Sequence, residues 1–430
     1  MHSFRRTFPA LATPLCIALA VTLLASGCAV GPNYQRPATV EVNQFKEAQG
    51  WVPAAPADTL ERGPWWELFG DTQLNTLAGQ VEVSNQNVAA AVAAYAQARA
   101  LVRVQRASLF PTVALDSRAN RTGSSSGSGN VGAGSRVGNS YQLGIGASWE
   151  PDVWGRLGRA VDGASASAQA SAADLASARL SAQGELAINY LSLRQQDAQK
   201  ALLASTLEGF QRTLAIAQNR YNAGISTRTD VLQAQTQLAN TQAEDIGLVR
   251  RRAQLEHAIA VLVGQAPGNF SVPPLANGQW QPVVPDVPVG LPSTLLQRRP
   301  DIAAAERRVA VANEQIGIAR SAYYPSLSLS ASGSTSASRV ADLFSAGTGA
   351  WALGLSAAQA LFNAGATSAR VDAAQAAHEQ TVARYRQTVL VAFADVEAQL
   401  AATRVLTAQQ TLRQQATVAA DQVEQQVLNR

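Results

Sequence analysis

Between Pro151 and Pro267 the chain has no proline, and apolar residues recur there at alternating spacings of four and three: Leu203, Leu207, Phe210, Leu214, Ala217 and Tyr221. That alternation is the seam of a coiled coil. At Tyr221-Asn222-Ala223-Gly224 the pattern meets a turn signal, with glycine where a helix must stop. It resumes after Asp230 and repeats through Leu248, Leu255 and Leu262. The spacing predicts a helical hairpin with Gly224 at its tip. Its first arm, from about Leu157 to Tyr221, would extend roughly 100 Å at 1.5 Å per residue. Glycines at 163, 184 and 209 leave open the alternative of shorter helices in a bundle. The stretch after Pro325 is also free of proline and permits a second long helix, because an interior proline costs about 3 kcal/mol.

Two regions switch to strict alternation. After Pro111, Val113, Leu115, Ser117 and Ala119 share one face; after a Gly/Ser loop (Gly123 to Ser140), Tyr141, Leu143, Ile145, Ala147 and Trp149 alternate with Gln142, Gly144, Gly146 and Ser148. After Pro325, Leu327, Leu329 and Ala331 alternate with Ser326, Ser328 and Ser330. Trp351, Leu353, Leu355 and Ala357 then alternate with Ala352, Gly354 and Ser356. Each arm is about 9–10 residues, the length of a tilted membrane-crossing strand. Apolar residues on one side and small or polar ones on the other suit a lipid-facing wall with a wet lumen. Soluble amphipathic hairpins packed on a core are the alternative. Four strands cannot close a barrel in lipid, where every backbone group needs a partner and single-chain barrels start at about eight. A wall of this kind therefore requires oligomerisation.

The two halves share one plan: helix, proline, strand, small-residue loop, strand, long helix. Ser108-Leu109-Phe110-Pro111-Thr112-Val113-Ala114-Leu115 matches Ala322-Tyr323-Tyr324-Pro325-Ser326-Leu327-Ser328-Leu329. Trp154-Gly155-Arg156 takes the place of Phe362-Asn363-Ala364-Gly365. A duplicated unit of this size is a specific signal. Composition agrees with it: charged residues are 15%, aromatics 6%, and the 47% hydrophobic share is dominated by alanine, so helices pack closely through small side chains. Net charge is +4 from scattered arginines, which excludes the clustered footprint of a nucleic-acid-binding protein.

The start of the chain reads as an export signal over residues 1–27. Arg5 and Arg6 precede an apolar run, Leu11 to Leu24, of about 14 residues, short of the roughly 20 that a spanning helix needs. Leu24-Ala25-Ser26-Gly27-Cys28 resembles the lipobox of bacterial lipoproteins, with the leucine one position further from the cysteine than the pattern prefers. Cys28 is then the lipidated first residue of the mature chain, its thiolate the nucleophile that takes up the lipid. An ordinary cleavable signal with an incidental cysteine is the alternative. Cys16, the only other cysteine, leaves with the signal, so neither an internal disulfide nor a thiol metal site is expected. Ala29 follows the lipidated position, and by resemblance to sorted lipoproteins this favours the outer membrane.

Several segments together resemble the TolC-like outer-membrane efflux proteins, in particular the NodT-type lipoprotein branch. They are Gly27-Cys28-Ala29-Val30-Gly31-Pro32-Asn33-Tyr34-Gln35-Arg36-Pro37, Trp65-Trp66-Glu67-Leu68-Phe69-Gly70-Asp71 and Arg220-Tyr221-Asn222-Ala223-Gly224. The longest is Leu296-Gln297-Arg298-Arg299-Pro300-Asp301-Ile302-Ala303-Ala304-Ala305-Glu306, running on to Ile316-Gly317-Ile318-Ala319-Arg320. Its physical sense is a helix opened by Pro300, with Asp301 at the positive end of the dipole. The resemblance covers nearly the whole chain. It implies a mainly α fold with a small membrane β-barrel portion, built from a duplicated repeat of long coiled helices and β-hairpins. It also implies a homotrimer, in which four strands from each subunit share one barrel and the coiled helices continue as a tunnel. Such channels are passive exit ducts of tripartite pumps, docking on a periplasmic adaptor and an inner-membrane transporter. The expected division is a signal peptide (1–27), an N-terminal lipid-anchored segment (28–64), a first repeat (65–265), a Pro-rich linker (266–292) and a second repeat (293–430). The second repeat stops about 50 residues short of the first, before its own elbow, so the gating residues that the family draws from that elbow have no counterpart to name.

Candidate chemistry is sparse. His257 and His378 sit singly in helical patterns, and no nucleophile has a partner in view, so no catalytic residue, cofactor or metal site is expected. Arg220, Tyr221, Gly224, Thr227, Arg228 and Asp230 at the first tip either meet the adaptor, constrict the mouth or form a plain solvated hairpin end. A periplasmic adaptor or structural coiled-coil lipoprotein is the rival reading, and it should lack paired amphipathic hairpins. A lipid-anchored enzyme is a third reading, disfavoured for want of a reactive constellation.

Overall fold

The computed structural model describes residues 29–38, 63–124, 136–275, 280–284 and 299–428. The expected signal peptide (1–27) and Cys28 lie outside the described residues, as do residues 276–279 and 285–292 of the expected Pro-rich linker. In chain order the elements are α1 (Thr72–Ser84), α2 (Gln86–Ala107), β1 (Thr112–Ser124), β2 (Arg136–Trp149), α3 (Arg156–Asn222), α4 (Arg228–Leu262), α5 (Pro300–Ser321), β3 (Ser326–Ala337), β4 (Gly349–Ala358) and α6 (Ala366–Leu428). The duplication is visible in the lengths. α2 and α5 each have 22 residues before a strand pair, and α3 and α6 follow with 67 and 63.

The predicted first arm is one unbroken helix, Arg156–Asn222, so its interior glycines do not divide it. A glycine costs a helix only about 1 kcal/mol, and neighbouring alanines and leucines carry the turn through. The seam residues Leu203, Leu207, Phe210, Leu214 and Ala217 are half-buried, as a coiled-coil seam requires, whereas Tyr221, the last of the series, is exposed where the helix meets its turn. Strands β1, β2 and β3 are longer than their alternation suggested, at 13, 14 and 12 residues, while β4 has the expected 10. β1 and β2 extend into the Gly/Ser stretch assigned above to a loop, pairing Thr122 with Gly138 and Gly123 with Val137. The ladder is made by backbone groups, so a loss of side-chain alternation does not end it.

The chain divides into two units. One comprises Met1–Thr39, Gln97–Ala170 and Ala305–Gln387; the other comprises Val40–Ala96, Ser171–Ala304 and Thr388–Arg430. In the first unit the segment just after Cys28 is held by polar contacts. The Val30 N–H donates to the Trp154 carbonyl at 3.0 Å. The Pro32 carbonyl accepts from Arg159 and from Asn313, both at 3.1 Å, while Arg159 pairs with buried Glu314 at 2.7 Å. Further along, the Tyr34 hydroxyl donates to Glu306, Arg36 donates to the Tyr385 hydroxyl at 3.2 Å, and Arg386 donates to the Ala38 carbonyl at 3.3 Å. Burial and the Glu306 hydrogen bond both push the Tyr34 phenol up, so it remains a neutral donor. Gly31 lies at φ 120°, and a Cβ there would sit 2.5 Å from the Gly317 Cα. Only glycine lets the two backbones approach this closely.

The second unit has an apolar core of Leu74, Leu77, Val81, Val88, Leu186, Tyr190, Leu193, Ile259, Val263 and Val272. Asp71 caps α1 by accepting from the Gln73 and Leu74 N–H groups at 2.9 and 3.0 Å, and its second oxygen accepts from the Tyr190 hydroxyl at 2.7 Å. Burial, then that hydrogen bond, pushes Tyr190 up to about 12. Arg194 donates to the Tyr190 hydroxyl, Asp197, Gln73 and the Pro273 carbonyl; Arg252 donates to Asp197 at 2.7 Å and to the Val272 carbonyl at 2.6 Å. Glu256 closes the set by accepting from the Val272 N–H at 2.6 Å. Three helices, α1, α3 and α4, and the chain following α4 are thereby joined by a nearly dry network. At the start of α5, burial alone would raise the Asp301 carboxyl, but the hydrogen bond and charge of Arg299 outweigh it and hold the group below its usual range.

Two outcomes follow from these contacts. Arg194→Ala leaves Asp197 and the Pro273 carbonyl underpaired in a dry site, so about 3–5 kcal/mol of stability is lost; thermal unfolding in detergent reads this as a clear drop in midpoint. Gly31→Ala dislodges the N-terminal segment while the helices stay folded; limited proteolysis then cleaves within residues 29–38 sooner than in the unsubstituted protein, with helical circular dichroism unchanged.

Candidate functional site

The four strands form one antiparallel sheet in the order β1-β2-β3-β4. Register decides which side chains share a face. Val113 stands opposite Ala147, Ala147 opposite Ala331, and Ala331 opposite Leu353. The next row is Leu115, Ile145, Gly333 and Trp351, and Trp149, Leu329 and Leu355 form a row toward the other end. Every odd-numbered position therefore lies on one face. The opposite face carries Gln142, Gly144, Gly146 and Ser148 on β2, with serine at six successive even positions of β3, Ser326 to Ser336. Large apolar side chains stand in the open on the first face: Leu115 is 72% exposed, Trp351 79% and Leu353 75%. Such a patch is far from what a water-facing surface carries.

The register joins the two halves of the duplicated sequence directly, since β2 pairs with β3 from Tyr141–Ala337 to Trp149–Leu329. Among the described residues, the outer edges of β1 and β4 have no strand neighbour. Aromatic groups gather at the strand bases. The Trp149 indole donates to the Leu109 carbonyl at 2.9 Å. Trp154 donates to the Pro325 carbonyl at 2.7 Å and stacks on Tyr324 with ring centroids 4.8 Å apart. Asp152 then opens α3, accepting from the Leu157 and Gly158 N–H groups at 2.9 and 2.6 Å.

The six tip residues meet in one turn between α3 and α4. Gly224 is left-handed at φ 76°; its N–H donates to the Tyr221 carbonyl and the Ile225 N–H to the Arg220 carbonyl, each at 2.9 Å. These two bonds are those of a Schellman ending. Thr227 precedes α4, and its N–H donates to Asp230 at 3.0 Å, the return bond of a capping box. Gly224, Thr227 and Asp230 thus shape the turn, while the side chains of Arg220, Tyr221 and Arg228 are exposed beside it, with Ile225. Cys28, the lipidation candidate, lies outside the described residues.

Sequence reasoning did not single out Arg159, Glu314, Arg194, Asp197 or Arg252. Each sits in a helix whose periodicity marks it as merely polar, and beyond the near pairs Arg194–Asp197 and Arg252–Glu256 no spacing signals that Asp197 meets Arg252 or that Arg159 meets Glu314. Tyr34 and Arg36 stood within a recognised segment without any indication of what they touch. Among the described residues, no group of three or more His, Cys, Asp and Glu is placed to hold a metal ion, and no helix is long and apolar enough to cross a membrane. The membrane-compatible surface is the sheet.

Comparison with known proteins agrees with that geometry. The model of the outer membrane efflux protein family matches residues 77–265 and 291–430. The cation efflux system protein CusC of Escherichia coli is 30% identical over 393 residues, spanning 91% of this chain and 83% of CusC. The solvent efflux pump outer membrane protein SrpC of Pseudomonas putida is 31% identical over 389 residues, spanning 88% of this chain and 81% of SrpC. Among solved structures, the outer membrane protein VceC of Vibrio cholerae superposes with a TM-score of 0.74 at 25% identity, covering 86% of each chain. A duplicated helical chain with one amphipathic sheet is thus the build of an outer-membrane efflux channel, and the chain belongs to the outer membrane efflux protein family.

Proposed function

We propose that three copies of this chain close one barrel of twelve strands, four from each, and act as the passive exit duct of a tripartite pump. The observation that carries this reading is the pair of open edges, on β1 and β4, flanking a sheet with one strongly apolar face. Hydrocarbon offers no hydrogen bonds, so those edges must find each other on neighbouring copies. The serine- and glycine-lined face then surrounds water. Conduction of small molecules through such a lumen needs shape and wall polarity rather than a reactive group, so no enzymatic step is assigned. Choice of cargo rests with the inner-membrane transporter.

The finer assignments belong to the same reading. Residues 1–27 are removed, and Cys28 carries lipid, as in the NodT-type branch, at the head of an anchored segment extending to residue 64. Residues 65–265 and 293–430 are the two repeats, joined by the Pro-rich linker 266–292. The turn holding Arg220, Tyr221, Gly224, Thr227, Arg228 and Asp230 docks the periplasmic adaptor, its exposed side chains offering two cations and an aromatic ring.

Detergent extraction of outer membranes tests the reading. The protein is released at the size of a trimer, and Leu353→Arg strongly lowers its amount, since an arginine on the lipid face costs about 2–4 kcal/mol per copy near the bilayer midplane. Ser332→Arg, on the other face, leaves assembly intact. A monomer released into buffer without detergent overturns the duct. For the lipid, Cys28→Ala lowers the outer-membrane level of the trimer while conductance per trimer stays the same; an unchanged level refutes the anchoring role.

A further inference from the structure

We propose that the loop between β3 and β4, residues 339–348, is seated in the outer boundary of the bilayer as a continuation of the lipid-facing wall, with Val340 and Phe344 as its apolar contacts. The proposal rests on the channel reading above and adds a membrane contact beyond the strands.

The loop has a defined fold. A single 3-10 turn covers Val340–Asp342, and the chain then reverses through the Ser345 N–H donating to the Asp342 carbonyl at 3.1 Å and the Thr348 N–H donating to the Ser345 carbonyl at 3.3 Å. The point of reversal is tied to one side of the sheet. The Leu343 carbonyl accepts from the Thr335 hydroxyl and lies 2.9 Å from the Thr348 hydroxyl, and these two hydroxyls are 3.0 Å apart. Thr335 is an odd-numbered position of β3, so it belongs to the apolar face, paired with Leu143 in the row beyond Ile145, Gly333 and Trp351. The loop is therefore held at the rim of the lipid-facing side. A loop leaning over the lumen would be tied through Ser334 or Ser336 side chains instead.

What the loop exposes suits that position. Phe344 is 82% exposed and Val340 61%, and the apolar face carries Trp351 one row from Thr335, the residue that ties the loop. Aromatic residues are favoured at this depth, where the ring is apolar and headgroups begin. The exposed charges are Arg339 and Asp342, one of each sign, so their net pull toward anionic headgroups is small. The seat is set by apolar contact and is insensitive to salt.

The test is depth measurement by electron paramagnetic resonance on the trimer reconstituted in phosphatidylcholine–phosphatidylglycerol vesicles. Nitroxide is attached at Phe344→Cys, with Leu353→Cys as the lipid reference, Ser332→Cys as the lumen reference and the unsubstituted protein as the labelling blank. The label at 344 is expected to be open to oxygen and shielded several-fold from a nickel chelate relative to 332, at a shallower depth than 353 and independently of salt. Nickel access at 344 equal to that at 332, with 353 shielded, overturns the loop seat alone. Nickel access at both 344 and 353 removes the lipid-facing wall, and the loop seat with it.

Discussion

Hydrocarbon cannot hydrogen-bond a peptide group, and the rest of this structure depends on that constraint. A sheet placed in lipid must have each edge paired and must turn unlike faces to lipid and water. The chain meets the second demand within itself: the register puts Val113, Ala147, Ala331 and Leu353 in one row and the serines of β3 on the reverse. It meets the first only in the company of other copies. Oligomerisation is thus part of folding for this sheet, and exposed leucines and tryptophans that would be a liability on a water-soluble monomer are here the surface that lipid covers.

The helical part solves a different problem. Long helices rich in alanine and glutamine bury little bulk, so their stability depends on repetition of a narrow seam and on a few concentrated polar joints. The Arg194–Asp197–Arg252–Glu256 set is one such joint; it holds Val272 and Pro273 where the chain leaves α4. The Arg159–Glu314 pair is another, holding the Pro32 carbonyl of the segment that follows Cys28. Dry ion pairs contribute less to net stability than to selecting one arrangement over others. That is what coiled helices with smooth, alanine-rich surfaces need, because such surfaces tolerate slippage.

Local patterns were legible where one physical rule acts along the chain. The four-three spacing from Leu203 to Ala217 marked the seam, Gly224 marked the turn, and the alternation beginning at Val113 and Leu327 marked the strands. The ends of β1 and β2 were not legible, because their last pairs, Thr122–Gly138, Gly123–Val137 and Ser124–Arg136, show no apolar alternation and are joined by backbone alone. Tip residues were found by the turn chemistry they carry, although half of that chemistry is spent on forming the turn. The contacts of Tyr34, Arg36 and Arg159 left no trace in local spacing.

By itself the sequence determined the elements, their duplication and the unlike faces of each strand, since periodicity and proline placement act between near neighbours. Only the tertiary structure decided that β2 of one repeat pairs with β3 of the other, and in which register. It alone decided which polar side chains meet across α3, α4 and α5, and that the β3–β4 loop folds toward the apolar face. Those outcomes depend on contacts between residues far apart in the chain, where a carboxylate and a guanidinium are matched by position in space rather than by spacing along a helix.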